Sequence, residues 1–167
     1  KGSVCTFGLC DTQGIGTTLH KEFYEKWYDV KLPHKFKIGV GGCPNNCVKP
    51  SLNDFGVVGQ FVPEFDEDMC SGCKKCMPKE TCKVGAISIV DGKAFIDRDK
   101  CNNCGLCIGK CHFDAIEEGK KGLKIYLGGK WGKTSRPGTP ITGVYTENEM
   151  MAILEKSILI YREQGKT

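Results

Sequence analysis

Hydrophobic and polar positions change period several times along the chain. Between Gln13 and Val30, the apolar residues Leu19, Phe23, Trp27 and Val30 follow at steps of four, four and three. That spacing predicts one buried face of a helix, which Pro33 ends. Phe36, Ile38 and Val40 then alternate with Lys37 and Gly39, which predicts a strand. Gly41-Gly42 breaks it and leads into Cys43-Pro44-Asn45-Asn46-Cys47. Phe55 to Val62 predicts another strand. Ile87 to Ile96 predicts a hairpin turning at Asp91-Gly92. Leu123 to Leu127 predicts a strand, followed by a Gly- and Pro-rich loop to Pro140. From Glu147 to Arg162, Met150, Met151, Ile153, Leu154, Ile158 and Tyr161 recur at helical spacing. Thr146 is the expected N-cap, with Glu149 completing a capping box. The methionines of this stripe are expected to pack in the core.

These elements predict an α+β fold in three segments. Residues 1–64 and 119–167 are expected to form one mixed sheet-and-helix portion. Residues 65–118 are expected to be an inserted domain with an internal duplication, because Cys82-Lys-Val-Gly-Ala86-Ile87 echoes Cys111-His-Phe-Asp-Ala115-Ile116 about thirty residues on. With 40% hydrophobic and 26% charged residues, the composition is that of an ordinary globular chain. No apolar run is long enough to span a bilayer. A net charge of +4 is too small and too scattered to indicate nucleic acid, but it suits an anionic substrate or an acidic redox partner.

The 12 cysteines change the picture most. They cluster in tight Cys-x-x-Cys runs, and no secretion signal opens the sequence, so metal ligation in a reducing cytoplasm is expected rather than disulfides. Cys101, Cys104, Cys107 and Cys111 match the bacterial two-cluster ferredoxin pattern, in which each fourth Cys serves the other cluster. Cys70, Cys73, Cys76 and Cys82 match it with five residues before the last Cys instead of three. Lys83 and His112 stand where that pattern has Pro. The crossed rule predicts one [4Fe–4S] cluster on Cys70, Cys73, Cys76 and Cys111, and a second on Cys101, Cys104, Cys107 and Cys82. Zinc, the alternative for Cys-x-x-Cys pairs, is a poor match to two triplets with two remote cysteines.

Outside that domain, Leu32-Pro-His-Lys-Phe-Lys37 followed by Gly41-Gly-Cys-Pro-Asn-Asn-Cys47 resembles the sirohaem-dependent sulfite and nitrite reductase family. The inserted ferredoxin and the later Gly122-Leu-Lys-Ile-Tyr-Leu-Gly-Gly-Lys130 are similar to the dissimilatory and small anaerobic sulfite reductases. The resemblance implies that Cys43 and Cys47 ligate a third [4Fe–4S] cluster, that Cys47 bridges it to sirohaem, and that Lys35 and Lys37 bind the anionic substrate. Two readings stay open for the remaining ligands. Either Cys5 and Cys10 are both ligands, or Cys5 is the second ligand, Cys10 is a buried free thiol, and the first ligand lies upstream of Lys1. The family's sirohaem-binding arginines lie in an N-terminal region, so the chain reads as the C-terminal part of a longer reductase.

The expected activity is therefore reduction of sulfite to sulfide with electrons relayed from a redox donor protein or subunit, in an oxygen-sensitive protein. The alternatives are a stand-alone polyferredoxin-like electron-transfer module and a nitrite reductase of the same family. His20, His34 and His112 show no haem motif and are expected to be surface or packing residues.

Overall fold

A computed structural model describes residues 4–165. The described elements are α1 (Thr12–Leu19), β1 (Ile38–Gly41), β2 (Phe55–Phe65), α2 (Met77–Thr81), β3 (Ile87–Val90), β4 (Lys93–Ile96), β5 (Ile116–Leu127), β6 (Thr139–Pro140) and α3 (Glu147–Gln164). One sheet has the order β1-β2-β5-β6, and β3 and β4 form a second. β1 runs parallel to β2 and β6 antiparallel to β5. The α+β class expected from the sequence is the class observed.

Two compact units are present. The first comprises the chain up to Gly59 together with the chain from Gly122, and the second is Gln60–Lys121. The divisions fall inside β2 and β5, a few residues from the 64/65 and 118/119 positions expected from the elements and the cysteine duplication. Among the described residues, no helix is long and apolar enough to cross a membrane.

The core of the first unit joins α1 and α3 to the sheet. Ile15 and Leu19 of α1, Phe55 and Val57 of β2, Leu123 and Ile125 of β5, and Met150, Leu154 and Ile158 of α3 are buried together. Full burial of such side chains contributes roughly 1.5–3 kcal/mol each. The methionine stripe is core packing, as expected. The Thr146 hydroxyl accepts from the Glu149 amide, and the Glu149 carboxylate accepts from the Thr146 amide, so the predicted capping box forms.

The first helix differs from its sequence expectation. The α-helix ends at Leu19, and His20–Glu25 continues as a single π-helical stretch before turns lead to Val30. Phe23 and Trp27 nevertheless pack on the core beside Leu19. The apolar steps therefore located the buried face without distinguishing the helix type.

The strand over Phe36–Val40 also differs. β1 begins only at Ile38, so Lys35 and Lys37 precede it. Phe36 packs on the core and against Tyr161, while Lys35 and Lys37 on either side are exposed. Extended backbone keeps the alternation without a ladder. β2 and β5 are longer than predicted, at 11 and 12 residues.

Candidate cluster-binding sites and an anion cleft

The second unit is built from two copies of one local design. In the first, the Asp66 carboxylate accepts from the amides of Asp68 and Met69 just before Cys70. In the second, the Asp97 carboxylate accepts from Asp99 and Lys100 just before Cys101. Gly72 and Asn103 both have positive φ between the first two cysteines of each triplet. Gly85 and Asp114 both turn with positive φ, their amides bonded to the Cys82 and Cys111 carbonyls. The turn forms in both halves, with Lys83 or His112 where the ferredoxin pattern has Pro. Each turn leads to a buried Ala-Ile pair, Ala86-Ile87 and Ala115-Ile116. The extra spacing before Cys82 is taken up by α2, a single turn between Cys76 and Cys82.

Exchange between the halves follows from this packing. Cys70, Cys73, Cys76 and Cys111 line one cavity. Cys82, Cys101, Cys104 and Cys107 line another. Each triplet thus shares a cavity with the fourth cysteine of the opposite half. The Ala94 amide points at Cys70 Sγ (3.5 Å), and the Ala86 amide at Cys82 Sγ (3.2 Å). Hydrogen bonds to ligand sulfur tune the potential of an iron–sulfur cluster. This donor set, soft sulfur with backbone N–H support and no carboxylate among the lining residues, fits an iron–sulfur cluster. Among the described residues, no three His, Cys, Asp or Glu side chains are close enough to share one metal ion. Thiolates at the corners of a cube stand farther apart than the ligands of a single ion, so this does not weigh against a cluster.

The other four cysteines lie in the first unit. The loop after β1 turns at Asn46 and Lys49, both left-handed, with the Asn46 amide bonded to the Cys43 carbonyl. The Gly42 carbonyl accepts from the Leu9 amide at 2.8 Å, which ties the N-terminal loop to this turn. Cys5, Cys43 and Cys47 line one cavity, together with Gly8, Gly41 and Gly42. Cys10 does not line it. Its Sγ faces the carbonyls of Gly41 and Gly42 at 3.9 and 4.0 Å, and it packs against the core. Burial, followed by the negative charges of Glu147 and Asp11, pushes its thiol up to about 11.

Lys35 and Lys37 line a different, open cleft, which shares no lining residue with the Cys5/Cys43/Cys47 cavity. The backbone of Lys37 is fixed on both sides: its amide donates to Asp54 Oδ2 at 2.9 Å, and its carbonyl accepts from Phe55 at 3.0 Å. Its ammonium approaches the Trp131 carbonyl at 3.5 Å. Lys130 and Arg136 also line the cleft, exchanging two backbone hydrogen bonds that close the loop between them. The Arg136 guanidinium donates to the Gly128 carbonyl at 2.9 Å. Asp54 is the only carboxylate in the lining, against four Lys and Arg side chains. Such a cleft attracts anions.

The family described as "Nitrite and sulphite reductase 4Fe-4S domain" matches residues 2–167. The chain belongs to this family. It is 34% identical over 160 residues to the coenzyme F420-dependent sulfite reductase of Methanocaldococcus jannaschii, covering 96% of this chain and 25% of that protein. It is 33% identical over 94 residues to one subunit of the anaerobic sulfite reductase of Salmonella typhimurium, covering 54% of this chain and 26% of that one. The crystal structure of dissimilatory sulfite reductase I shares the fold, with a TM-score of 0.64 at 23% identity over 98% of this chain and 45% of that chain. The matched residues thus span about a quarter of the length of each of these two curated relatives.

For this member of the 4Fe-4S reductase family, sequence reasoning named the cysteines and two of the cleft lysines. It did not assign Lys130, Trp131 and Arg136 to the cleft. Their only signal was a basic, Gly-rich loop after a strand, and nothing local to it indicates that it folds over Lys37. His34 accepts the Lys35 amide on Nδ1 at 2.8 Å and lines the same cleft. His20 stacks on Tyr24 at the surface, and His112 is exposed beside Cys111.

Proposed function

We propose that this chain is the cluster-carrying part of a sirohaem-dependent sulfite reductase that reduces sulfite to sulfide. The observation that carries the reading is the sorting of eleven cysteines into three cavities, two of them crossed between the halves of the second unit. Cys70, Cys73, Cys76 and Cys111 would hold one [4Fe–4S] cluster, and Cys82, Cys101, Cys104 and Cys107 a second. Cys5, Cys43 and Cys47 would hold a third, with its fourth ligand outside the described residues. Such clusters supply electrons singly to a reaction that needs six. Sirohaem, held to the third cluster through Cys47, would supply the metal centre for the sulfur oxyanion.

The residues of the cleft have definite tasks. Lys35 and Lys37 present two ammonium groups to an oxyanion and stabilise negative charge as S–O bonds break. As ammonium groups they also hold protons for the departing oxygens. Asp54 keeps the Lys37 backbone in place. Lys130 and Arg136 add positive charge at the rim and raise the local concentration of anions.

The test is iron and acid-labile sulfide content with a visible spectrum, on the longest chain that carries this sequence, purified anaerobically. The reading expects about twelve cluster irons, one more for sirohaem, and a sirohaem band. About eight irons with broad absorbance alone would leave an electron-transfer module and sink the reductase reading. In the same preparation, Lys35→Ala with Lys37→Ala should lower sulfite turnover by at least about 100-fold with cluster content unchanged. Turnover of nitrite but not of sulfite would move the assignment to the other branch of the family.

A further inference from the structure

The two cavities of the second unit differ in what surrounds them. The second is lined by cysteines and apolar or neutral residues, with no charged side chain. The first has Lys75, Lys110 and His112 in its lining and no carboxylate. All three are exposed, and among the described residues neither lysine forms an ion pair. Lys74, Lys79 and Lys83 are exposed on the same short stretch, with Glu80 the only carboxylate among them. Large apolar side chains also line the first cavity, with Ile89 40% and Phe113 47% exposed. The cysteines follow the same asymmetry. Cys73 is exposed, whereas Cys107 of the second cavity is buried.

From this asymmetry we propose that the face around Cys73, Lys75, Lys110 and Phe113 is the docking surface for an acidic one-electron carrier protein, and that electrons are admitted at the Cys70/Cys73/Cys76/Cys111 site. The assignment rests on the proposed placing of clusters in these cavities. An apolar centre with a basic rim matches the general anatomy of a transient protein interface. Unpaired rim lysines steer an acidic partner and act on association rate more than on lifetime. Electron tunnelling falls steeply with distance, so the more exposed site is the better point of admission. In the transfer itself the carrier is oxidised by one electron and the chain is reduced by one. No bond is made or broken.

The experiment uses the anaerobically purified, cluster-loaded chain and an oxidised plant-type ferredoxin, an acidic carrier, as the probe. Binding is measured by titration at low and at about physiological ionic strength, where screening is stronger. Lys75→Glu with Lys110→Glu should weaken binding by about tenfold at low salt and flatten its salt dependence. Lys75→Gln with Lys110→Gln should fall between the two. Binding that resists the charge reversal, or that Lys156→Glu on α3 weakens equally, would overturn the proposal. Iron and sulfide content of every sample is determined alongside. A wild-type chain without clusters counts against the cluster placement, while unchanged binding by a fully loaded variant counts against the docking surface alone.

Discussion

Cys5 and Cys10 look alike in the sequence and are opposites in the structure. Cys5 lines a cavity with Cys43 and Cys47, whereas Cys10 faces two backbone carbonyls beside the core. A thiol that faces backbone carbonyls and lies outside the cavity is not placed to reach a cluster held by Cys5, Cys43 and Cys47. Cys10→Ala is therefore expected to keep full iron content, while Cys5→Ala and Cys47→Ala should each lose about four irons per chain by colorimetric assay. Asp97 gives a second prediction at this scale. Its carboxyl is held below the usual range, first by the Lys100 ammonium at 3.1 Å and then by the Lys100 amide. A depressed carboxyl contributes stability above its ordinary pKa, and the contribution is lost as pH falls toward the folded value. The gap in urea midpoint between the native protein and Asp97→Asn should thus be widest at neutral pH and narrow below about pH 4.

Among the elements, α3 and β2 show two kinds of local determination. The capping box at Thr146 and Glu149 was legible because both partners lie within four residues. Thr146→Ala is expected to cost about 1 kcal/mol, read as a lowered urea midpoint. Gly59 in β2 carried no such signal. A Cβ there would stand 2.5 Å from the Gly42 carbonyl oxygen and 3.0 Å from Cys10 Sγ. The backbone of β2 therefore comes close enough to support the turn that ties Leu9 to Gly42. Gly59→Ala should force that turn outward at about 1–3 kcal/mol, and iron should be lost from the Cys5/Cys43/Cys47 site before the other two. Loss of iron from the two crossed sites first would contradict this account of the strand. The π-helical stretch at His20–Glu25 shows the converse. Its apolar steps are those of an ordinary helix, and they place Phe23 and Trp27 on the core without revealing its pitch.

The whole molecule has two cores with no shared residue. One joins α1, α3 and the sheet; the other lies under the β3–β4 hairpin with Ile116 and Cys107. Leu154 is fully buried in the first, and Leu154→Ala is expected to remove about 2–5 kcal/mol from that unit. Thermal unfolding should then separate into two transitions, with iron–sulfur absorbance from the second unit persisting beyond the first. A single transition shifted as a whole would mean that the two cores unfold together.

By itself the sequence determined the features that depend on near neighbours. Short spacings hold the members of each cysteine triplet together, Asp91-Gly92 fixes a hairpin turn because both residues accept positive φ, and the α3 stripe fixes a buried face through its 3.6-residue period. The exchange of Cys82 and Cys111 was legible too, because a duplicated pattern carries its own pairing rule. Only the tertiary structure decided which loops meet. It placed Cys5 with Cys43 and Cys47 and turned Cys10 away. It folded the Lys130–Arg136 loop beside Lys37, and it gave one cavity a basic mouth and the other none. These are contacts between residues far apart in the chain, set by burial and by single backbone hydrogen bonds, and no local period encodes them.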